Sequence, residues 1–135
     1  MRKFLIATHR SMAEGIKDTV NFFTGSTYDI STLSAYMDNN ELRADEINDF
    51  IPFSTDDELV VFTDIASGSV TQKFYPYLKQ ENIFLVSGIN LPIVLSIVLA
   101  TDQKLSYQKI DELIGEAKEQ IVQIKLEETV NIDDE

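Results

Sequence analysis

Short apolar runs recur along the chain and constrain its fold more than any other feature. Three of them, Phe4–Ala7, Leu59–Phe62 and Ile83–Val86, contain no polar residue, which is typical of strands buried on both faces of a sheet. A fourth segment, from Tyr28 to Ser31, alternates apolar and polar residues and predicts a more exposed strand. The sequence therefore predicts a sheet built from short strands.

Helical patterns lie between these strands. The first is predicted to begin at a capping box of Ser11 and Glu14 and to end at Gly25. A weaker helix is expected over residues 41–51, and three others have the predicted N-caps Ser69 (in a second capping box with Gln72), Asn90 and Ser106. Strands that alternate with helices indicate βαβ units and a mostly parallel sheet.

The predicted fold is α/β, a flavodoxin-like three-layer sandwich with the parallel strand order 2-1-3-4. Ile121, Ile124 and Leu126 favour an additional strand near the C-terminus, although continuation of the last helix remains an alternative. We predict one domain over residues 1–126, followed by an acidic, disordered tail at 127–135.

Composition excludes several function classes. The 135 residues include 23 acidic and 11 basic ones, a net charge of −12, which argues against a nucleic-acid binder. The absence of Cys and the presence of a single His exclude disulfides and zinc sites built on several thiolates or histidines, and no cofactor or metal is expected.

The longest apolar stretch, Ile89–Ala100, is interrupted by Pro92 and is too short to span a bilayer. The apolar run at the start is too short for a signal peptide, so we expect a cytoplasmic protein.

Two polar residues with reactive side chains follow predicted strands. His9 comes after the first strand and Asp64 after the third. If these strands are neighbours, both side chains lie at the carboxyl edge of the sheet, where doubly wound folds bind ligands. A carboxylate that binds one ring nitrogen of an imidazole leaves the other free to attack as a nucleophile.

A Gly-Ser turn beside this pair can bind an anion. Ser67, Gly68 and Ser69 precede a predicted helix, whose N-terminal N–H groups favour a phosphate. The residues therefore predict either a phosphoryl-transfer site or a simpler anion site, with His9 and Asp64 as the candidate catalytic residues.

Three segments carry a resemblance to a known family. They are Phe4 to His9, Leu59 to Ser69, and Ser87 to Pro92 with its Gly-x-Asn-Leu-Pro pattern. In this order they resemble the A component (enzyme IIA) of the mannose-family sugar phosphotransferase system, over nearly the whole chain to about Leu126.

The resemblance implies a phosphoryl relay. His9 would accept a phosphoryl group from the histidine-containing phosphocarrier protein and pass it to the B component of a mannose-type permease for sugar uptake. Asp64 would orient the imidazole, and Ser69 would contact the phosphate. The resemblance also implies a homodimer that exchanges a C-terminal antiparallel strand formed by residues 120–126.

The chain departs from the family pattern at two places. The family usually has Gly directly after the His, where this chain has Arg10. The Arg10 side chain can be expected either to contact the phosphate or to point into solvent. The family also usually has two glycines before the Ser and a Pro after it, where this chain has Ser67-Gly68 and Val70. These changes leave His9 and Asp64 intact.

Alternative functions stay open. They are a regulatory phosphohistidine domain, a phosphotransferase subunit of dihydroxyacetone kinase, and a flavin-binding module of the same fold. A receiver domain phosphorylated on Asp64 is disfavoured, because the first strand ends in Ala7-Thr8-His9 and supplies no acidic pair for magnesium.

Overall fold

The computed structural model describes residues 1–100 and 102–126. In chain order, the elements are β1 (Arg2–His9), α1 (Met12–Thr24), β2 (Ile30–Ala35), α2 (Ala44–Asn48), β3 (Glu58–Thr63), α3 (Ser69–Gln72), a 3₁₀ helix (Tyr75–Lys79), β4 (Ile83–Ser87), α4 (Leu91–Val98) and α5 (Tyr107–Lys118). No helix within the described ranges is long and apolar enough to cross a membrane.

The strands form a parallel sheet in the order β2-β1-β3-β4, which confirms the predicted order. Successive side chains of a strand point to opposite faces, and the apolar runs use both. Phe4 and Ile6 pack with α1, α4 and α5 on one face, whereas Leu5 and Ala7 pack with α2, α3 and the 3₁₀ helix on the other. The predicted three-layer α/β sandwich is therefore confirmed.

Several helix boundaries follow the sequence signals. Gly25 ends α1 with the left-handed φ of 74° that favours glycine. The side chains of Asn90 and Ser106 accept hydrogen bonds from Ile93 N–H and Lys109 N–H, at 2.9 and 3.0 Å. These two predicted N-caps are therefore confirmed.

Both predicted capping boxes are wrong. Ser11 precedes α1 without a capping side-chain bond, because the hydroxyl of Thr8 at the end of β1 accepts the Ala13 N–H at 2.8 Å instead. Ser69 is the first residue of α3, Gly68 is its N-cap, and Gln72 Nε2 donates to the Ser67 carbonyl at 3.2 Å. In both places a contact with a residue earlier in the chain replaces the local pattern.

Two other elements differ in extent from the prediction. The second strand starts at Ile30 and not at Tyr28, since its pairing with β1 begins at Phe4 opposite Ile30. The helix expected over residues 41–51 is limited to Ala44–Asn48, although Ile47 is buried in the core as its apolar spacing suggests.

The segment after α5 forms neither helix nor strand at residues 121–125. Its apolar side chains are exposed, with exposed fractions from 62% to 77% for Ile121, Val122, Ile124 and Leu126. The helix ends at Lys118, so continuation of the helix over residues 121–125 is excluded. Within one chain the antiparallel strand is not formed, and its exchange in a dimer stays a prediction. The predicted acidic tail lies outside the described residues.

Candidate active site

The carboxyl ends of β1 and β3 place His9 and Asp64 side by side. The two strands are paired in parallel, with Ala7 opposite Thr63. His9 is the last residue of β1, and Asp64 directly follows β3. The sheet order alone therefore brings together two residues that are 55 positions apart in the chain.

The Asp64 carboxylate is held by three hydrogen bonds. Its Oδ2 accepts the His9 backbone N–H at 2.8 Å and contacts His9 Nδ1 at 2.9 Å. Its Oδ1 accepts the Ile65 N–H at 3.0 Å. The Asp64 side chain is 10% exposed and that of His9 34%. The carboxylate is thus fixed below a ring that solvent and a partner can reach.

This geometry selects the reactive nitrogen of His9. A carboxylate accepts hydrogen bonds, so the Asp64 contact favours the tautomer in which Nδ1 carries the proton. The lone pair is then on Nε2, the ring nitrogen that does not contact Asp64. The arrangement is that of an oriented nitrogen nucleophile.

The pKa of Asp64 is lowered from its ordinary value. Burial acts in the opposite direction and would raise this pKa, but the hydrogen bonds from the backbone and ring of His9 and the charge of the ring when protonated together outweigh it. A carboxyl group whose pKa is lower in the folded than in the unfolded chain stabilises the fold above its unfolded pKa. The lowered pKa favours the ionised form of Asp64, which is the form that accepts the hydrogen bonds from His9.

This shift predicts a pH-dependent stability difference between the wild type and Asp64→Asn. At neutral pH we expect the variant to lose about 1–2 kcal/mol of unfolding free energy, because charged hydrogen bonds are lost. The part of the difference that depends on charge should be lost as the pH falls below about 4 and through the lower folded pKa. Urea unfolding from pH 3 to 8 measures it, and a pH-independent difference would contradict the assignment.

The loop after β3 contacts the imidazole closely. A Cβ atom added to Gly68 would lie 3.3 Å from His9 Cε1 and 3.2 Å from the Ile65 carbonyl oxygen. The Gly68 N–H already donates to that carbonyl at 3.0 Å, so Gly68 faces the ring and its N–H is occupied. Ser67 is exposed, and Ser69 Oγ lies 2.7 Å from Tyr36 Oη.

A buried hydroxyl network holds this loop in place. Thr71 Oγ1 lies 2.7 Å from Thr63 Oγ1 and 2.7 Å from the Ile65 carbonyl oxygen, and it is also 3.3 Å from Ser87 Oγ. Both threonines are buried, where unpaired polar groups are costly. The network therefore links the ends of β3 and β4 to the loop that carries Gly68.

Tyr36 belongs to the site although the sequence patterns did not single it out. Its ring is stacked on that of His9, with ring centroids 5.3 Å apart and planes 7° apart. The signal that could have identified it is its position, since it directly follows β2 at the same edge of the sheet as His9.

Arg10 occupies the position where the family has Gly, and the backbone explains that preference. Its φ is 53°, in the left-handed region that glycine adopts most easily. The guanidinium Nη1 donates to the Tyr36 carbonyl oxygen at 3.0 Å. The Arg10 side chain is therefore exposed to solvent and binds the backbone just after β2.

Three exposed apolar residues lie in the segments that follow β1, β2 and β3, and we call them the apolar rim. Met12 begins α1, Met37 follows Tyr36 and Ile65 follows Asp64, with exposed fractions of 43%, 48% and 52%. Methionine side chains adapt to differently shaped surfaces. Together with the 34% exposed imidazole of His9, these side chains make the site open to solvent.

Residues 1–100 and 102–126 contain no group of three or more His, Cys, Asp or Glu side chains that could hold a metal ion.

The comparison with protein families identifies the family of this chain. Residues 3–114 match the family model described as PTS system fructose IIA component, EIIA-man, of the phosphotransferase system. The chain belongs to this family. It is thus a IIA component of the mannose/fructose family, as the sequence resemblance predicted, and IIA components take part in phosphoryl transfer.

Solved structures of similar proteins share this fold. The IIA chain is 32% identical to a structure from Klebsiella pneumoniae subsp. pneumoniae MGH 78578 described as a phosphoenolpyruvate-dependent sugar phosphotransferase system permease, with 90% of each chain covered and a TM-score of 0.78. It is 22% identical to the PTS IIA protein associated with the fucose utilization operon of Streptococcus pneumoniae, with 96% of each chain covered and a TM-score of 0.71. No curated protein shows a significant match.

A more distant structure has the same fold. The mannose/sorbose specific IIA subunit of Enterococcus faecalis is 15% identical to this IIA chain, with a TM-score of 0.75. The alignment covers 93% of this chain and 96% of the subunit. At such low identity the likeness shows the fold alone.

Proposed function

We propose that this IIA component carries a phosphoryl group on Nε2 of His9. It accepts the group from the histidine-containing phosphocarrier protein and passes it to the B component of a mannose-type sugar permease. The observation that supports this proposal is the His9–Asp64 pair, in which the 2.9 Å contact at Nδ1 directs the lone pair of the other ring nitrogen toward the open face.

The transfer step needs little covalent chemistry from the protein. The Nε2 lone pair forms the new N–P bond in line as the bond between phosphorus and the donor's ring nitrogen breaks, and that electron pair returns to the donor ring. The His9 ring keeps its Nδ1 proton and becomes positively charged. Asp64 stabilises this charge through the contact already present.

Ser69 is the residue of the Gly-Ser turn that best suits a phosphate contact. Its hydroxyl lies in the first turn of α3, next to the Gly68 that borders the ring. Ser67 is exposed and fits a peripheral contact. Gly68 serves mainly by its lack of a side chain, because its N–H is already bonded.

The test is phosphorylation of the intact chain with phosphoenolpyruvate, enzyme I and the phosphocarrier protein. We expect one acid-labile, base-stable phosphate per chain, which is lost when a B component is added. An acid-stable label, or no label from an active phosphocarrier, would contradict the relay. A label that passes to no B component but supports dihydroxyacetone phosphorylation would favour the dihydroxyacetone kinase alternative, and one that passes to neither would favour the regulatory domain.

Gly68→Ala tests the close approach of the loop to the imidazole. Since φ of Gly68 is −76°, alanine causes no backbone strain there, and the effect comes from the contacts of 3.2 and 3.3 Å with Ile65 and His9. We expect phosphoryl uptake to slow by about 3- to 10-fold, because small displacements of a reacting group are costly.

The control is Gly15→Ala in α1, where an added Cβ meets nothing within 4 Å. It should leave transfer unchanged and raise stability by about 0.5–1 kcal/mol, as alanine does in helices. Equal rates for Gly68→Ala and the wild type would show that the loop does not position the ring.

We also propose that residues 120–126 pair with the sheet of a second copy. β4 is at one edge of the sheet, where an unpaired strand needs a cover, and the apolar side chains of 121–126 are exposed. Light scattering should give twice the 15.3 kDa chain mass for the full chain and a single-chain mass for a chain that ends at Glu119. A full-length monomer, or an undiminished dimer after shortening, would contradict strand exchange.

A further inference from the structure

Tyr36 links the proposed nucleophile to the proposed phosphate ligand. Its ring is stacked on His9, and its hydroxyl oxygen lies 2.7 Å from Ser69 Oγ. We propose that Tyr36 is a positioning residue, which holds the imidazole plane and turns the Ser69 hydroxyl proton toward the phosphoryl group. This inference rests on the proposed function, because it assigns a direction to a hydroxyl at that site.

The stacking restrains the rotation of the His9 ring about its contact with Asp64, which the hydrogen bond alone does not prevent. A hydrogen bond at Nδ1 fixes one edge of the imidazole, but the ring can still swing about that contact. The Tyr36 ring lies nearly parallel to it, at 7°, with centroids 5.3 Å apart, which is within the favourable range for offset rings. Gly68 borders the ring at Cε1. The nucleophilic nitrogen is thereby held in one direction before the donor arrives.

The backbone of Tyr36 is strained, and local contacts maintain the strain. Its φ of 63° is left-handed, which is rare for an aromatic residue. Its N–H donates to the Asn40 carbonyl at 2.9 Å, and its own carbonyl accepts Arg10 Nη1 at 3.0 Å. Backbone strain that several contacts maintain is concentrated at functional sites. In this chain the left-handed residue is the same residue, Tyr36, whose ring is stacked on His9.

Either oxygen of the Tyr36–Ser69 contact can be the donor, and we assign the donor role to Tyr36 when a phosphoryl group is present. A serine hydroxyl has a single proton to donate. When that proton is given to a phosphoryl oxygen, the lone pairs of Ser69 Oγ can accept the Tyr36 proton. Tyr36 therefore acts through Ser69, and the chain of two hydroxyls gives the phosphoryl group an aligned donor without reorganisation during transfer.

A set of single and double variants tests this role. Tyr36→Phe keeps the ring and removes the hydroxyl, Ser69→Ala removes the proposed phosphate donor, and the double variant combines them. Tyr28→Phe is the matched control, since Tyr28 precedes the N-terminal end of β2, whereas Tyr36 follows its C-terminal end. Phosphoryl uptake from the phosphocarrier protein is measured for each, with the rate at saturating donor and KM determined separately.

We expect Tyr36→Phe to lower the saturated rate by about 3- to 10-fold, the effect of one hydrogen bond, with little change in KM. In the Ser69→Ala background the same substitution should change the rate by less than about twofold, because the hydroxyl that it orients is gone. Tyr28→Phe should match the wild type. Additive losses, or a Tyr36→Phe rate equal to that of the wild type, would overturn the orienting role.

The stacking has its own readout. In the proton NMR spectrum of the unphosphorylated chain, the His9 ring protons should be shifted by the Tyr36 ring current. This shift should survive in Tyr36→Phe and disappear in Tyr36→Leu, and its presence in the leucine variant would overturn the stacking. If the wild type takes up no label, the proposed function has failed. If it is labelled but the double variant shows additive losses, only the inference about Tyr36 has failed.

Discussion

His9→Gln is expected to abolish phosphorylation of the chain. His9 is the only histidine among the 135 residues, so no second imidazole can accept the phosphoryl group. The glutamine amide has no nucleophilic ring nitrogen, and we expect uptake to fall by at least about a thousandfold, as when a nucleophile is removed. Transfer of ³²P from labelled phosphocarrier measures the loss.

The variant should remain folded. The His9 side chain is 34% exposed, and Asp64 keeps the backbone N–H bonds from His9 and Ile65. Thermal unfolding and circular dichroism check this. A histidine variant that still takes up acid-labile phosphate would place the phosphoryl group elsewhere and end the proposal. In the wild type, ³¹P NMR should assign the phosphate to Nε2, and a signal from the Nδ1 isomer would contradict the role of the Asp64 contact.

Asp64→Asn is expected to have the second largest effect, a slowing of phosphoryl uptake by about 10²- to 10⁴-fold, comparable to the loss of an oriented and charged partner of a reactive histidine. In the wild type, Oδ2 accepts both the backbone N–H and the ring of His9, and Oδ1 accepts Ile65 N–H. An asparagine that kept its oxygen toward His9 would turn its NH₂ group toward the Ile65 N–H, which is another donor. It also lacks the negative charge that stabilises the phosphorylated ring.

The matched control is Asp18→Asn, an exposed carboxyl on α1, which should transfer at the wild-type rate. Single-turnover rates separate a slow chemical step from weak donor binding, and we expect the defect of Asp64→Asn in the rate at saturating donor. A variant that transfers as fast as the wild type would show that the carboxylate does not orient or stabilise His9.

The central sheet could be predicted because its signal is local and redundant. The runs at Phe4, Leu59 and Ile83 are apolar without interruption, and such short runs are typical of strands covered on both faces. His9 and Asp64 meet because β1 and β3 are neighbours in the sheet, and the apolar runs by themselves leave that order open. The strands and the position of each residue at a strand end were therefore accessible from the sequence, whereas their contact depended on the strand order.

The remaining features depend on contacts between distant residues. The Ser11 pattern is a good capping signal, but the Thr8 hydroxyl takes the Ala13 N–H instead, and a local pattern cannot show that competition. Tyr36 directly follows β2, and its backbone has a left-handed conformation that is rare for an aromatic residue. Its role depends on the rings and hydroxyls that the fold brings next to it.

The C-terminal strand stays a prediction for a different reason. The apolar residues from Ile121 to Leu126 indicate burial, but in one chain they are exposed. Their expected partner is in a second copy, so the pattern of a single sequence gives the need for burial without the geometry that meets it.

The placement of the apolar rim has a consequence for evolution within this family. His9 and Asp64 are at the ends of the central strands, whereas Met12, Met37 and Ile65 are exposed residues in the segments that follow β1, β2 and β3. Substitutions at these three positions would change the exposed surface without replacing the imidazole or the carboxylate. The buried strand residues that hold the pair in place would also be unaffected, so this surface can diverge between members of the family while the pair is retained.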